Sequence, residues 1–185
     1  MPNWCSNKLR LIAKTDEAKA LLPSLVEGFQ PRVEASESAF ELICPTPEEL
    51  LSRKAPEDDP FVAEENEEKY GASDWYNWRV KNWRTKWESS NEEVEEIPGG
   101  LIAAFETAWS PPIGIYEKLV AMGFDVYATY IECGMGYAGI WDNGEDQEFK
   151  TQLPDNDDPW DDVHLVLSST FKGIPSEFWP HGLGG

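Results

Sequence analysis

Carboxylates are the residues with the most chemistry to offer in this chain, and they come in runs. Glu57, Asp58, Asp59, Glu64, Glu65, Glu67 and Glu68 fall within twelve residues, and Glu92, Glu93, Glu95 and Glu96 follow Glu88 within nine. Asp155, Asp157, Asp158, Asp161 and Asp162 close a third run that begins at Asp142. Acids outnumber Lys and Arg by 35 to 15, a net charge of −20. Folding does not ask for this, because self-repulsion works against the compact state. Such a charge disfavours nucleic acid and anionic membrane as partners and favours a basic protein surface. Duplex DNA carries one charge per about 1.7 Å of axis, so twenty charges match about 34 Å of helix. A body of this length is about 40 Å across. The acidic runs therefore predict contact with a basic, nucleic-acid-handling protein such as a nuclease, a methyltransferase or a defence complex, by imitation of DNA. The plain alternative is a solvated surface that serves solubility.

Other chemistries have thinner support. Cys5, Cys44 and Cys133 are far apart and form no CxxC pair, and only His164 and His181 could join them, so zinc is not expected. The run from Asp155 to Asp162 lacks the Gly and the terminal Glu of a calcium loop. There is no GxSxG and no phosphate-cradling glycine loop, and no carboxylate pair stands out as acid and base. The reading is a non-catalytic protein without metal or cofactor. The stretch from Trp75 to Trp87 mixes four Trp with Arg79, Lys81, Arg84 and Lys86 and invites a nucleic-acid reading. At helical spacing, though, Tyr76, Val80, Trp83 and Trp87 share a face, which predicts a buried stripe under Arg and Lys stems. Gly134-Met135-Gly136 reads as a tight connection. Three unpaired cysteines, no basic and apolar leader after Met1, and no apolar run of membrane length predict a cytoplasmic protein.

The elements that must position these residues follow from periodicity. Residues 7–13 alternate as a strand, and Thr15-Asp16-Glu17 opens a helix that Pro23 should kink or shorten. Residues 39–44 suggest a second strand, with one helical turn after it from Glu48 to Leu51. The acidic stretch from about 55 to 70 reads as an inserted loop or loose helix. Residues 100–109 form a strand, Ile113 to Met122 a short helix and Phe124 to Cys133 another strand. A hairpin over 137–141 and 148–152 turns at Asn143-Gly144. Two strand–helix–strand units make an α+β, ferredoxin-like sandwich, an antiparallel sheet with two helices on one face. It occupies residues 1–153, and 154–185 form an acidic C-terminal extension.

Four motifs, in order, resemble the YubB-like proteins of phages and plasmids. They are Met1-Pro2-Asn3-Trp4-Cys5-Ser6-Asn7, Trp75-Tyr76-x-Trp78-Arg79 running on to Asn82-Trp83-Arg84-Thr85-Lys86-Trp87, Phe105-Glu106-Thr107-Ala108-Trp109-Ser110-Pro111-Pro112, and Gly134-Met135-Gly136-Tyr137-Ala138-Gly139. The resemblance implies a ferredoxin-like domain and a mobile-element origin; it brings no settled activity. Arg84 departs from the family pattern, which has Gly there. If that position needs a positive φ, Arg84 must sit in a conformation that Gly adopts freely.

Two functions follow. In the first, the protein binds and inhibits a host DNA-handling or defence protein through its carboxylates. In the second it is an interaction or assembly module, with a homo-oligomer as one form, that works through an aromatic surface made of Trp4, Trp109, Met135, Tyr137 or the tail residues Phe178 and Trp179.

Overall fold

The structure is a computed structural model that describes residues 3–31 and 38–150. Strand β1 (Trp4–Ala13) leads into helix α1 (Asp16–Gly28). Thr15 caps that helix by accepting from the Ala18 N–H at 3.1 Å, and the helix runs on through Pro23. Four short helices follow: α2 (Ala39–Ile43), α3 (Glu48–Leu51), α4 (Pro60–Tyr70) and α5 (Trp75–Asn82). The chain then forms β2 (Ser90–Ile97), β3 (Gly100–Ala108), helix α6 (Ile113–Ala121), β4 (Phe124–Glu132), β5 (Tyr137–Asp142) and β6 (Glu145–Lys150).

The strands make one antiparallel sheet in the order β2-β3-β1-β4-β5-β6. Its first four strands, with α1 and α6 as crossovers, are the ferredoxin-like βαββαβ arrangement. Strands β5 and β6 extend it by a meander. Asn143 (φ 47°) and Gly144 (φ 108°) form the two-residue turn expected of an Asn-Gly hairpin, although β6 already starts at Glu145.

One sheet face is packed under the helices. Odd-numbered residues of β1 such as Leu9 and Leu11 meet Leu101, Ala103, Val126 and Ala128 there, beneath Leu25, Phe40, Ile115 and Leu119 of the helices. Phe29, Phe40, Phe105 and Trp83 stack or meet edge-on at centroid distances of 5.4 to 5.9 Å. Close aromatic packing of this kind adds about 0.5–1.5 kcal/mol per pair beyond area burial.

Two expectations are corrected, and a third, an inserted loop or loose helix over 55–70, resolves to a helix. Within 39–44, Ala39–Ile43 form the helix α2, with Cys44 as its C-cap, rather than a strand. Ser38 caps it by accepting from the Glu41 N–H at 3.3 Å, and Ser38-x-x-Glu41 carries the sequence signature of a capping box. The second strand of the first half is instead β2, inside the acidic run 88–96 that was expected outside the sheet. Pro98-Gly99 turns it back so that Ile97 pairs with Gly100. As an edge strand β2 has reason to be charged, since Glu side chains deter pairing with another chain. The stretch 55–70 contains a proper helix, α4, with Asp59 as its N-cap, Pro60 in the first turn and Gly71 (φ 73°) closing it.

Candidate functional site

The four motifs meet at one end of the sheet. Trp4 opens β1 and pairs with Ala108, the last residue of β3. Cys5 pairs with Thr107 on one side and with Glu132, the last residue of β4, on the other. Glu132 in turn pairs with Tyr137 at the start of β5. Residues 84–87, which follow α5, are tied to the same corner. Thr85 Oγ1 donates to the Ala108 carbonyl at 2.9 Å, and Ser110 Oγ donates to the Arg84 carbonyl.

A buried polar cluster sets this corner. Asn7 Nδ2 donates to the Cys5 carbonyl at 2.8 Å and to Thr107 Oγ1 at 2.9 Å. Thr107 Oγ1 donates to the Ser110 carbonyl at 2.7 Å, and Tyr116 Oη donates to Asn7 Oδ1 at 3.2 Å. Beside this cluster the chain leaves the sheet through Trp109 at φ 73°. Arg84, at φ 70°, makes the matching turn on the other chain segment. Arg84 therefore occupies the left-handed region that Gly adopts freely.

The result is an exposed aromatic surface. Trp4, Trp87 and Trp109 are 39–43% exposed, and Met135 lies open on the β4–β5 turn. Trp4 and Trp87 lie 6.2 Å apart at 45°. The Lys86 ammonium sits between two indoles, 3.9 Å from the Trp87 ring centre and 3.6 Å from that of Trp109. Tyr137 Oη donates to the Trp109 carbonyl at 2.6 Å and ties the fourth motif to the third. A Trp side chain offers about 250 Å². At these exposures the three indoles leave about 300 Å² open, the range of the largest apolar patch on a typical monomer.

Gly134-Met135-Gly136 is the tight connection between β4 and β5. Its N–H groups hold the chain's own carboxylate: Gly134 and Met135 donate to the two oxygens of buried Glu132 at 2.8 and 2.5 Å. Burial, and secondly the Glu132 charge, raise the Cys5 and Cys133 thiols, so neither is a ready thiolate at neutral pH. Burial likewise pushes the Tyr130 and Tyr137 phenols well up.

The aromatic–basic stretch divides in two. Trp78 and Trp83 are buried, with Trp83 Nε1 donating to the Cys44 carbonyl at 2.8 Å. The expected stripe of Tyr76, Val80, Trp83 and Trp87 does not form, because α5 stops at Asn82 and Arg84 turns the chain. Val80 and Trp87 are exposed. Arg79 serves the interior: Nη2 lies 2.6 Å from Glu41 and 3.5 Å from Glu88, Nε donates to Thr46 Oγ1 at 3.0 Å, and the guanidinium stacks over Trp83.

The carboxylates expected to form a binding face are carried by separate elements. Asp59 is spent as the cap of α4, donated to by the Phe61 N–H at 3.0 Å, and Glu57 Oε1 accepts from the Asp59 N–H at 3.2 Å. Asp58 is exposed. Glu64, Glu65, Glu67 and Glu68 are exposed on α4, as is Phe61, which is 83% open to solvent. That helix is held through Asn66 Nδ2 donating to the Ser73 carbonyl and through the Lys69–Glu49 ion pair. Glu92 accepts from Ser89 Oγ at 2.9 Å, and Glu93, Glu95 and Glu96 lie along β2, which packs on β3 and α1. Asp155, Asp157, Asp158, Asp161 and Asp162 lie outside the described residues, as do Phe178 and Trp179. Among the described residues no group of three or more Cys, His, Asp or Glu side chains is arranged to hold a metal ion. No described helix is long and apolar enough to cross a membrane.

Fold and site together define an α+β protein of the ferredoxin-like class with an aromatic end. Residues 82–162 match a family model described as the ferredoxin-like domain in Api92-like protein. That span holds β2 to β6, α6 and the Lys86–Trp87–Trp109 part of the site. The chain is also similar to the crystal structure of the protein Api92 from Yersinia pseudotuberculosis. Sequence identity is 11% over 82% of this chain and 99% of that one, with a TM-score of 0.43. No curated protein matches the chain.

Proposed function

We propose that this protein is a non-catalytic, cytoplasmic binding module whose aromatic end docks on another protein. The observation that carries the reading is convergence. Three indoles and a methionine from four motifs distant in sequence stand exposed at one end of the sheet. Aromatic anchors of this kind dominate binding energy when a partner excludes water from them. The corner is held by the Asn7–Thr107–Tyr116 cluster and by two left-handed residues, so little ordering cost would fall on association. The partner surface is expected to be apolar or aromatic, with a carboxylate available to Lys86. The test is binding measured at low and high salt with the Trp87→Ala/Trp109→Ala double variant. Loss of binding in that variant, with salt-resistant binding in the parent, supports the reading. Unchanged binding by the double variant refutes it.

A second reading is supported by α4, which carries four exposed glutamates and an exposed Phe61. Through that helix the protein would engage a basic groove on a host DNA-handling or defence protein and inhibit it. The motif likeness to YubB-like proteins of phages and plasmids supports the mobile-element origin this requires. Carboxylates on α4 and β2 belong to different layers of the molecule, which favours a local acidic contact over imitation of a full DNA turn. Reversing Glu64, Glu65, Glu67 and Glu68 to Lys should then abolish a salt-sensitive complex, and an unaffected complex would remove this reading.

A further inference from the structure

The aromatic end is also where the charge of this acidic chain changes sign. Segments 3–7, 84–87, 107–112 and 133–139, which meet there, hold no Asp or Glu, yet they carry Arg84 and Lys86 in a chain of net charge −20. The carboxylates that border those segments are already engaged. Glu132 is 1% exposed and accepts from the Gly134 and Met135 N–H groups, Glu88 lies 3.5 Å from Arg79, and half-buried Glu106 also has a partner. Arg10, Lys14, Lys19, Lys69 and Arg79 each meet a carboxylate elsewhere in the molecule. Among the described residues, the side chains of Arg84 and Lys86 make no ion pair and no hydrogen bond.

Lys86 decides what can cover the indoles. It is half-buried, with its ammonium against the faces of Trp87 and Trp109. A ring face attracts the charge, but the N–H donors of the ammonium are left to water. A partner that covers the three indoles strips that water away. If it brought only apolar groups, it would leave a desolvated ammonium without an acceptor, which is costly. A cation would find Lys86 already on the ring faces it needs. A carboxylate supplies both the acceptor and the opposite charge.

We infer that the aromatic end receives an acidic–apolar segment of another protein, with one carboxylate on Lys86 and apolar or aromatic neighbours on Trp4, Trp87 and Trp109. This rests on the reading of that end as the docking surface and adds the charge its occupant must present. Arg84, exposed two residues away, is available to a second carboxylate. Single-stranded nucleic acid also stacks on indoles. It carries a charge at every nucleotide, however, and would run past two cations into an acidic body, whereas a protein segment can set one carboxylate between apolar side chains. A pair enclosed by indoles is screened little by salt, in keeping with a salt-resistant complex. Lys86 is then the residue that sets specificity.

Selection of a random displayed peptide library on the full chain tests this, with depletion on the Trp87→Ala/Trp109→Ala variant so that only peptides needing the indoles are kept. The expected result is enrichment of Asp or Glu beside aromatic and aliphatic positions. The tightest peptide, made synthetically, should lose about tenfold or more in affinity for the Lys86→Gln protein. Changing its own Glu to Gln, or Asp to Asn, should cost the same against the parent protein, and this arm does not depend on how the variant folds. The two changes together should cost little more than either alone, and Lys86→Arg should keep most of the affinity. Kept peptides that are rich in Lys and Arg or show no charge bias would overturn the inference, as would an unchanged affinity for Lys86→Gln; the docking surface would stand in each case. A library in which no peptide needs the indoles would remove the docking surface and this inference with it. A single-stranded DNA oligonucleotide that binds more tightly than the peptide, and is lost on Lys86→Gln, would make nucleic acid the occupant and overturn the proposal.

Discussion

Replacing Arg84 by Gly should stabilise this protein. Arg84 is exposed and sits at φ 70°, in the left-handed region where Cβ crowds the following carbonyl. Occupying that region costs a residue with a Cβ about 1–2 kcal/mol, and Gly nothing. Against this, Gly loses more freedom on folding, by about 0.5–1 kcal/mol relative to Ala. The bond that fixes the turn comes from Ser110 to the Arg84 main-chain carbonyl and survives the change. The balance is a gain of about 0.5–1 kcal/mol, or about 1–4 °C in melting temperature for a chain of this size. Val80→Gly is the matched control, since Val80 is equally exposed but inside α5, where Gly should cost stability. Thermal melts followed by circular dichroism distinguish the two signs. A lowered melting temperature for Arg84→Gly, parallel to that of Val80→Gly, would refute the argument from backbone conformation.

Arg79→Ala should destabilise by about 3 kcal/mol, because it strands Glu41 and Glu88 in partly buried sites; urea denaturation measures it. Alkali should weaken the fold. Cys5, Cys133, Tyr116, Tyr130 and Tyr137 all have raised folded-state pKa values, so the unfolded chain releases protons first as pH climbs. Their contribution is intact below the ordinary thiol and phenol values of 9.0 and 10.0 and is lost above them. The limiting slope is about 1.4 kcal/mol per pH unit for each group, and melts at pH 7.5 and pH 10.5 should show the loss. Glu93→Val/Glu95→Val should turn the β2 edge into a pairing surface, seen as concentration-dependent association in light scattering.

Much of the scaffold could be read from the sequence because its signals were local. Leu9 and Leu11 alternate in β1, Thr15 caps α1, and Asn143-Gly144 turns the last hairpin. The second strand was missed because Ser90–Ile97 contains four Glu and one Val, a pattern set by its place at the sheet edge rather than by burial. The apolar-rich residues 39–44 are too few to separate a strand period from a helical one, and the cap at Ser38 is the deciding signal. Trp4, Trp109, Met135 and Tyr137 could be singled out as candidates for an aromatic surface. Trp87 and Lys86 could not, because the helical face was extended past Arg84. A left-handed residue there ends the periodicity, and the expected Gly at that position was the available clue.

On the proposed reading the aromatic end, and not the negative charge, makes the functional contact. Its most direct measurement is recovery of a bound protein from bacterial lysate at 50 mM and 1 M salt, figures chosen to span a Debye length from above 10 Å to about 3 Å. Parent protein, the Trp87→Ala/Trp109→Ala variant and the α4 charge-reversal variant are compared. The account predicts a complex that survives high salt, persists when the α4 glutamates are reversed and disappears when the two indoles are removed. A complex that dissolves in salt, fails on charge reversal and ignores the loss of Trp87 and Trp109 would contradict it.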